Sequence, residues 1–136
     1  MAVRTYIDSG VLISALRGEA AIAGTAIAFL NDPLREYVTS DYVKVELLPK
    51  CTYHKNEDER LFYEEFFKSS SITVPSSNEL LAFAIEEGGK TGISGIDAIH
   101  VACAVVAEAQ ELITAEKITK PIHRAKTNGL TVISIR

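Results

Sequence analysis

Short strand-like stretches alternate with helix-patterned ones along almost the whole chain, and that alternation limits the fold more than any other feature. The first strand is Val3–Ile7. A helix from Ser9 to about Leu16 follows and stops at Arg17-Gly18, and a second from Glu19 to about Leu30 closes at Asn31-Asp32-Pro33. A short strand at about Glu36–Val38 leads to a third helix, opened by Ser40 as N-cap with Asp41 in its first turn and running to about Lys50. The polar run His54–Glu59 enters a fourth helix carrying Leu61, Phe62, Tyr63, Phe66 and Phe67. Then come a strand at Ile72–Val74, a helix from Ser77 to Glu87 ended by Gly88-Gly89, and a glycine-punctuated loop at Thr91–Gly95. A sixth helix runs from Ile96 to about Glu108, a strand occupies Glu111–Thr114, and a basic stretch precedes the last strand, Leu130–Ile135. Strands and helices in this order form βα units and a mostly parallel sheet. Right-handed crossovers then place helices on both of its faces. The expected architecture is a three-layer α/β/α sandwich with a central sheet of about five strands, one domain over residues 1–136.

The bulk properties agree. At 47% hydrophobic and 24% charged residues, the chain has the composition of an ordinary globular domain. No apolar run approaches the roughly 20 residues that span a bilayer. No basic segment with an apolar core opens the chain, so neither a signal peptide nor a membrane association is expected. Two cysteines far apart, Cys51 and Cys103, do not make a disulfide framework or a zinc site, and Cys103 reads as a small buried apolar residue. A cytoplasmic protein is expected. The net charge of −4 argues against nucleic-acid binding by overall charge, but leaves room for a local basic strip.

Four acids fall in special places. Asp8 stands at the tip of the first strand, where a parallel sheet presents its ligand edge; a helix N-cap is the alternative. Glu46 lies among Val43, Val45, Leu47 and Leu48, where a carboxylate is costly unless paired; the alternative is a border residue reaching water beside Lys50. Asp97 opens the sixth helix, which is apolar nearly all round and hence buried; Ser94 and Asp97 also have capping-box spacing. Glu116 follows the fourth strand by two residues, as site residue or exposed loop acid. In a doubly wound sheet all four can meet at one edge. Converging carboxylates repel unless a cation neutralises them. Hard oxygen ligands suit Mg²⁺ or Mn²⁺, and the chemistry that follows is metal-assisted phosphoryl transfer.

Absent motifs narrow the choice. There is no Gly-x-x-x-x-Gly-Lys stretch, and no Gly-x-Gly-x-x-Gly follows the first strand, which excludes a P-loop NTPase and argues against a dinucleotide fold. Asp8 has no partner acid at position 10, as an Asp-x-Asp phosphatase would require. His54, His100 and His123 show no metal spacing, and His100, one turn from Asp97, reads as a packed or hydrogen-bonded helix residue.

The stretches Tyr6-Ile7-Asp8-Ser9-Gly10-Val11-Leu12-Ile13, Ser40 through Glu46-Leu47, Gly95-Ile96-Asp97-Ala98-Ile99-His100-Val101-Ala102-Cys103-Ala104 and Leu112-Ile113-Thr114-Ala115-Glu116 together resemble the PIN-domain ribonucleases, and among them the small VapC-type toxins of toxin–antitoxin pairs. The resemblance spans nearly the whole chain. It implies that Asp8, Glu46 and Asp97 are the catalytic acids and hold Mg²⁺ or Mn²⁺. Glu116 would be the fourth ligand, where Asp is the commoner choice. It further implies hydrolysis of RNA, a cognate antitoxin and a homodimer. Lys117, Lys120, Arg124 and Lys126 would bind RNA phosphates, with Lys44, Lys50 and Lys55 flanking the site; ordinary solvated lysines are the alternative. The aromatics of the fourth helix either pack into the core or leave a partner surface. The competing functional expectation is a degenerate PIN-like domain that binds RNA or protein without cleavage, and a weaker one is another Mg²⁺-dependent phosphatase-like domain.

Overall fold

The computed structural model describes residues 2–136. Five parallel strands form one sheet in the order β3-β2-β1-β4-β5: β1 (Val3–Ile7), β2 (Arg35–Ser40), β3 (Ile72–Val74), β4 (Glu111–Thr114) and β5 (Thr131–Ser134). Tyr6 pairs with Val38 on one side and with Leu112 on the other, so β1 is the central strand. All three of these residues are fully buried, as parallel strands covered on both faces must be.

Six helices cover the sheet: α1 (Ser9–Arg17), α2 (Ala20–Leu30), α3 (Asp41–Tyr53), α4 (Glu57–Ser69), α5 (Asn78–Thr91) and α6 (Gly95–Val106). From β1 the chain steps to β2 and β3 in one direction, then returns past β1 to β4 and β5. With right-handed crossovers this reversal puts α1–α4 on one face and α5–α6 on the other. The packing agrees: α1 lies against α2 and α3, α3 against α4, and α6 against α5, β1, β2 and β4. The α/β/α sandwich expected from the alternation is the fold found. The reversal occurs between β1 and β4, and open α/β sheets bind ligands outside the carboxyl ends of strands at such a point.

The boundaries differ in instructive ways. β2 is longer than Glu36–Val38 because it is paired on both sides. α3 runs past Lys50 to Tyr53 despite Pro49 within it. α5 passes through Gly88-Gly89 and stops only at Gly92, the residue with left-handed backbone (φ 78°); a glycine pair ends a helix only where such a φ is needed. α6 ends at Val106, with Glu108 at φ 58°. The basic stretch before β5 holds two 3-10 turns, Pro121–Arg124 and Thr127–Gly129.

At the amino edge of the sheet, Arg35 pairs with Glu111 and with Asp32 (3.2 Å), and Arg4 pairs with Glu36 (2.9 Å). Both cysteines are buried and free, and burial pushes the Cys103 thiol up to about 11. No helix among the described residues is long and apolar enough to cross a membrane.

Candidate active site

Asp8 leaves β1 directly at the reversal. Its backbone N–H extends the ladder to the Ile113 carbonyl (3.1 Å), and its Oδ1 accepts the Val11 N–H (3.2 Å), capping α1. Capping and a place at the ligand edge therefore coexist. The residue is only 6% exposed, and burial, with a contribution from the Asp97 charge, raises its pKa above the ordinary carboxylate value. The Thr114 hydroxyl, His100 and the Val11 N–H act in the opposite sense without cancelling that shift.

Asp97 lies in the first turn of α6. Burial and then the negative charges of Glu116 and Glu46 raise its pKa, against a smaller influence of His100. Ser94 holds the N-cap position but makes no side-chain cap hydrogen bond, so the reciprocal capping box is not formed. Glu46, on α3, is half-buried and bonds through Oε1 to His100 Nε2 (2.8 Å). Burial raises its pKa, but the His100 contact and the Ser9 hydroxyl outweigh this and hold it below the usual value. No Lys50 partner is found for it among the ion pairs of the described residues. Glu116 lies in the loop after β4; its N–H donates to Thr114 Oγ1 (3.0 Å), and its carbonyl accepts from His123 Nε2 (3.0 Å).

The four acids thus come from β1, α3, α6 and the loop after β4 to one edge. They are near enough for Asp97 to feel Glu116 and Glu46, and for Asp8 to feel Asp97. No three His, Cys, Asp or Glu side chains among the described residues are already set to hold a metal ion. The donor chemistry nevertheless fits a hard divalent cation: the groups gathered here are carboxylates whose mutual repulsion a cation would relieve.

The PIN domain family profile matches residues 5–122, spanning all four acids. This chain belongs to the PIN domain family. Among solved structures, it folds like a chain of VapBC2 from Rickettsia felis bound to a DNA fragment from the pair's promoter. That match has a TM-score of 0.67 at 14% identity and covers 97% of this chain and 98% of the other. A toxin–antitoxin complex from Klebsiella pneumoniae contains a similar chain, with a TM-score of 0.66 at 19% identity over 93% of this chain and 95% of that one. No curated protein matches the sequence.

The basic residues of this PIN domain do not gather as one strip. Lys117 and Lys120 are exposed in the loop that begins at Glu116. Arg124 is committed to the end of α5, donating from Nη1 to the Thr91 carbonyl (3.0 Å). Lys126 immediately precedes the turn Thr127–Gly129, which borders a cleft with Val3, Glu108 and Gln110 at the amino edge, because parallel β4 and β5 require the chain to cross back. His100 is the packed, hydrogen-bonded helix residue the sequence suggested, but its partner Glu46 was not legible, nor were Ser9 beside Glu46 and Thr114 beside Asp8. A signal existed for one of them: Thr114 is a hydroxyl residue following the apolar pair Leu112-Ile113 of β4, and buried hydroxyls need partners.

Proposed function

We propose that this PIN domain is a metal-dependent endoribonuclease and the toxin of a toxin–antitoxin pair. The observation that carries the proposal is the convergence of Asp8, Glu46, Asp97 and Glu116 at the point where strand order reverses, where burial and then neighbouring carboxylate charge raise the pKa values of Asp8 and Asp97. Asp8 and Asp97 would be the main ligands of one Mg²⁺ or Mn²⁺; Glu46 would bind it directly or through water, and Glu116 would complete the site or hold a second ion. When bound, such a cation supplies a nucleophilic water at neutral pH and charge stabilisation at the scissile phosphate. The protein's own part is placement. Asp8 is fixed by the α1 cap, Glu46 by His100, and Glu116 by a loop tied to Thr114 and His123. Lys117 and Lys120, exposed beside Glu116, suit sequence-blind phosphate contacts, with Arg124 and Lys126 further along the same return of the chain.

The toxin reading draws support from the two toxin–antitoxin structures whose fold this chain shares. Of the two alternatives for the aromatics of the fourth helix, packing into the core is the one found. On α4, Tyr63 and Phe66 are buried, and Phe62 and Phe67 pack against the core, leaving Leu61 exposed. Exposed apolar side chains lie on α1 and α2 (Ile13, Leu16, Ile27), on α3 (Val45, Tyr53) and on α5 and α6 (Leu81, Ile85, Ile96). An antitoxin and a second copy of the chain are the partners proposed for these faces.

The test is incubation of a mixed structured RNA pool with purified, antitoxin-free protein in Mg²⁺, in Mn²⁺ and in chelator, beside the Asp8→Ala variant. Metal-dependent cutting lost in the variant is the expected result. A folded protein that retains RNA but never cuts it would replace this reading with the binding-only one.

A further inference from the structure

Behind Glu46 runs a chain of hydrogen bonds that begins and ends on the same helix. The Val43 N–H of α3 donates to Ser40 Oγ (3.3 Å), Ser40 Oγ lies 2.8 Å from the Tyr6 hydroxyl, that hydroxyl lies 2.7 Å from His100 Nδ1, and His100 Nε2 meets Glu46 Oε1 at 2.8 Å. Tyr6 and Ser40 are 0% exposed and His100 2%, so no water competes for these bonds. The direction of every proton follows from the two ends. Glu46, as a carboxylate, only accepts, so Nε2 must carry the hydrogen. In a neutral imidazole Nδ1 is then an acceptor, which requires the Tyr6 hydroxyl to donate to it. The Tyr6 phenol is fully buried and keeps that proton within the chain of bonds. Ser40 must in turn donate to Tyr6, while its oxygen receives the Val43 N–H.

The placement of these groups is the second observation. Tyr6 precedes Asp8 by two residues on β1, and His100 follows Asp97 by three on α6. Ser40 caps α3, the helix that carries Glu46. One chain of hydrogen bonds therefore ties together the three elements that present Asp8, Glu46 and Asp97. His100 engages only Oε1 of Glu46, so that bond does not take up the other carboxylate oxygen.

We propose that His100 and Tyr6 are positioning residues for Glu46: the Tyr6 hydroxyl, donating to Nδ1, holds the His100 ring in the tautomer and orientation that the carboxylate requires, and the Nε2–H orients Glu46 as a ligand for a divalent cation. The inference rests on the nuclease reading above. A merely structural bridge would hold α6 to α3 without affecting cation binding. Groups that orient metal-ligating carboxylates typically change metal affinity by roughly 10- to 100-fold when removed.

The experiment measures Mn²⁺ binding by calorimetry to chelator-stripped wild type, Tyr6→Phe, His100→Leu and His100→Gln, with melting temperatures recorded alongside. Nitrogen NMR of the metal-free wild type and Tyr6→Phe proteins reads the His100 tautomer. His100→Leu and Tyr6→Phe should weaken Mn²⁺ binding by about 10-fold or more, while His100→Gln, whose amide places an N–H near the position of Nε2–H, should recover most of it. The wild type should show hydrogen on Nε2 and a hydrogen-bonded Nδ1, and Tyr6→Phe the nitrogen shift of an Nδ1 that has lost its donor. Equal Mn²⁺ affinity across the set, with only melting temperatures lowered, would overturn the inference and leave the nuclease reading intact. A wild type with hydrogen on Nδ1 would overturn it even if the variants failed to fold. A wild type that binds no Mn²⁺ would overturn both.

Discussion

Asp8 carries a conflict built into one side chain. As the cap of α1 it contributes to folding, yet burial beside Asp97 makes its charge costly at neutral pH. Asn caps a helix about as well as Asp and carries no charge. Asp8→Asn should therefore melt higher than wild type in chelator at pH 7. The sign follows from linkage. A carboxyl group whose folded pKa is raised costs stability above that pKa, and the cost fades as pH falls toward the ordinary carboxylate range. The melting-temperature gap between the two proteins should accordingly narrow on acidification. The same variant should lose RNA cleavage by about a thousandfold, the scale of ~4 kcal/mol of charge stabilisation at the scissile phosphate. A melt that falls at neutral pH, with no narrowing in acid, would show that the carboxylate is not held at a cost.

Two element-level contacts set where α1 begins and how α4 is held. A side chain at Gly10 would place its Cβ 2.8 Å from that of Ala115, so the first turn of α1 and the loop after β4 meet at a distance only glycine allows. Overpacking of this kind costs roughly 1–3 kcal/mol, and Gly10→Val should show that loss in denaturant melts together with a drop in activity, because the loop carrying Glu116 must move. On the same face, Glu59 of α4 bonds to Arg17 of α1 and to the Tyr63 hydroxyl (2.7 Å), and Asn56 caps α4 through the Glu59 N–H (3.2 Å). Burial raises the Glu59 pKa, but Tyr63 and Arg17 outweigh it and hold the group below its ordinary value. Its stabilising contribution is thus complete above the ordinary Glu pKa of about 4.3 and is lost as pH falls through the folded value. Glu59→Gln should cost about 1–3 kcal/mol at pH 7, and the difference from wild type should vanish in acid, as read by urea melts at a series of pH values.

On the scale of the whole molecule, the proposed cation site would couple to folding in a chain of net charge −4. A ligand that binds only the folded state stabilises it by mass action. Mn²⁺ at a hundredfold excess over its Kd should add ~2.7 kcal/mol, a rise in Tm on the order of 10 °C for a domain this size, and calorimetric scans of Asp8→Asn should show none of that rise. What the sequence determined by itself was the order and kind of elements, because alternating short apolar strands and helices admit little besides a covered parallel sheet. It also marked Asp8 and Glu116 as strand-end residues, since the period of a strand and its turn are local facts. Helix ends were less legible. A Gly-Gly pair reads as a stop, but only Gly92 needs the left-handed backbone that ends α5. Only the tertiary structure decided which contacts each acid makes and what stands behind it. Strand order brings β4 beside β1, and hence Thr114 to Asp8, across 106 residues. Helix packing sets His100 of α6 between Tyr6 and Glu46, and it seats most of the α4 aromatics in the core rather than on the surface. These are contacts between segments remote in the chain, and local patterning carries no term for them.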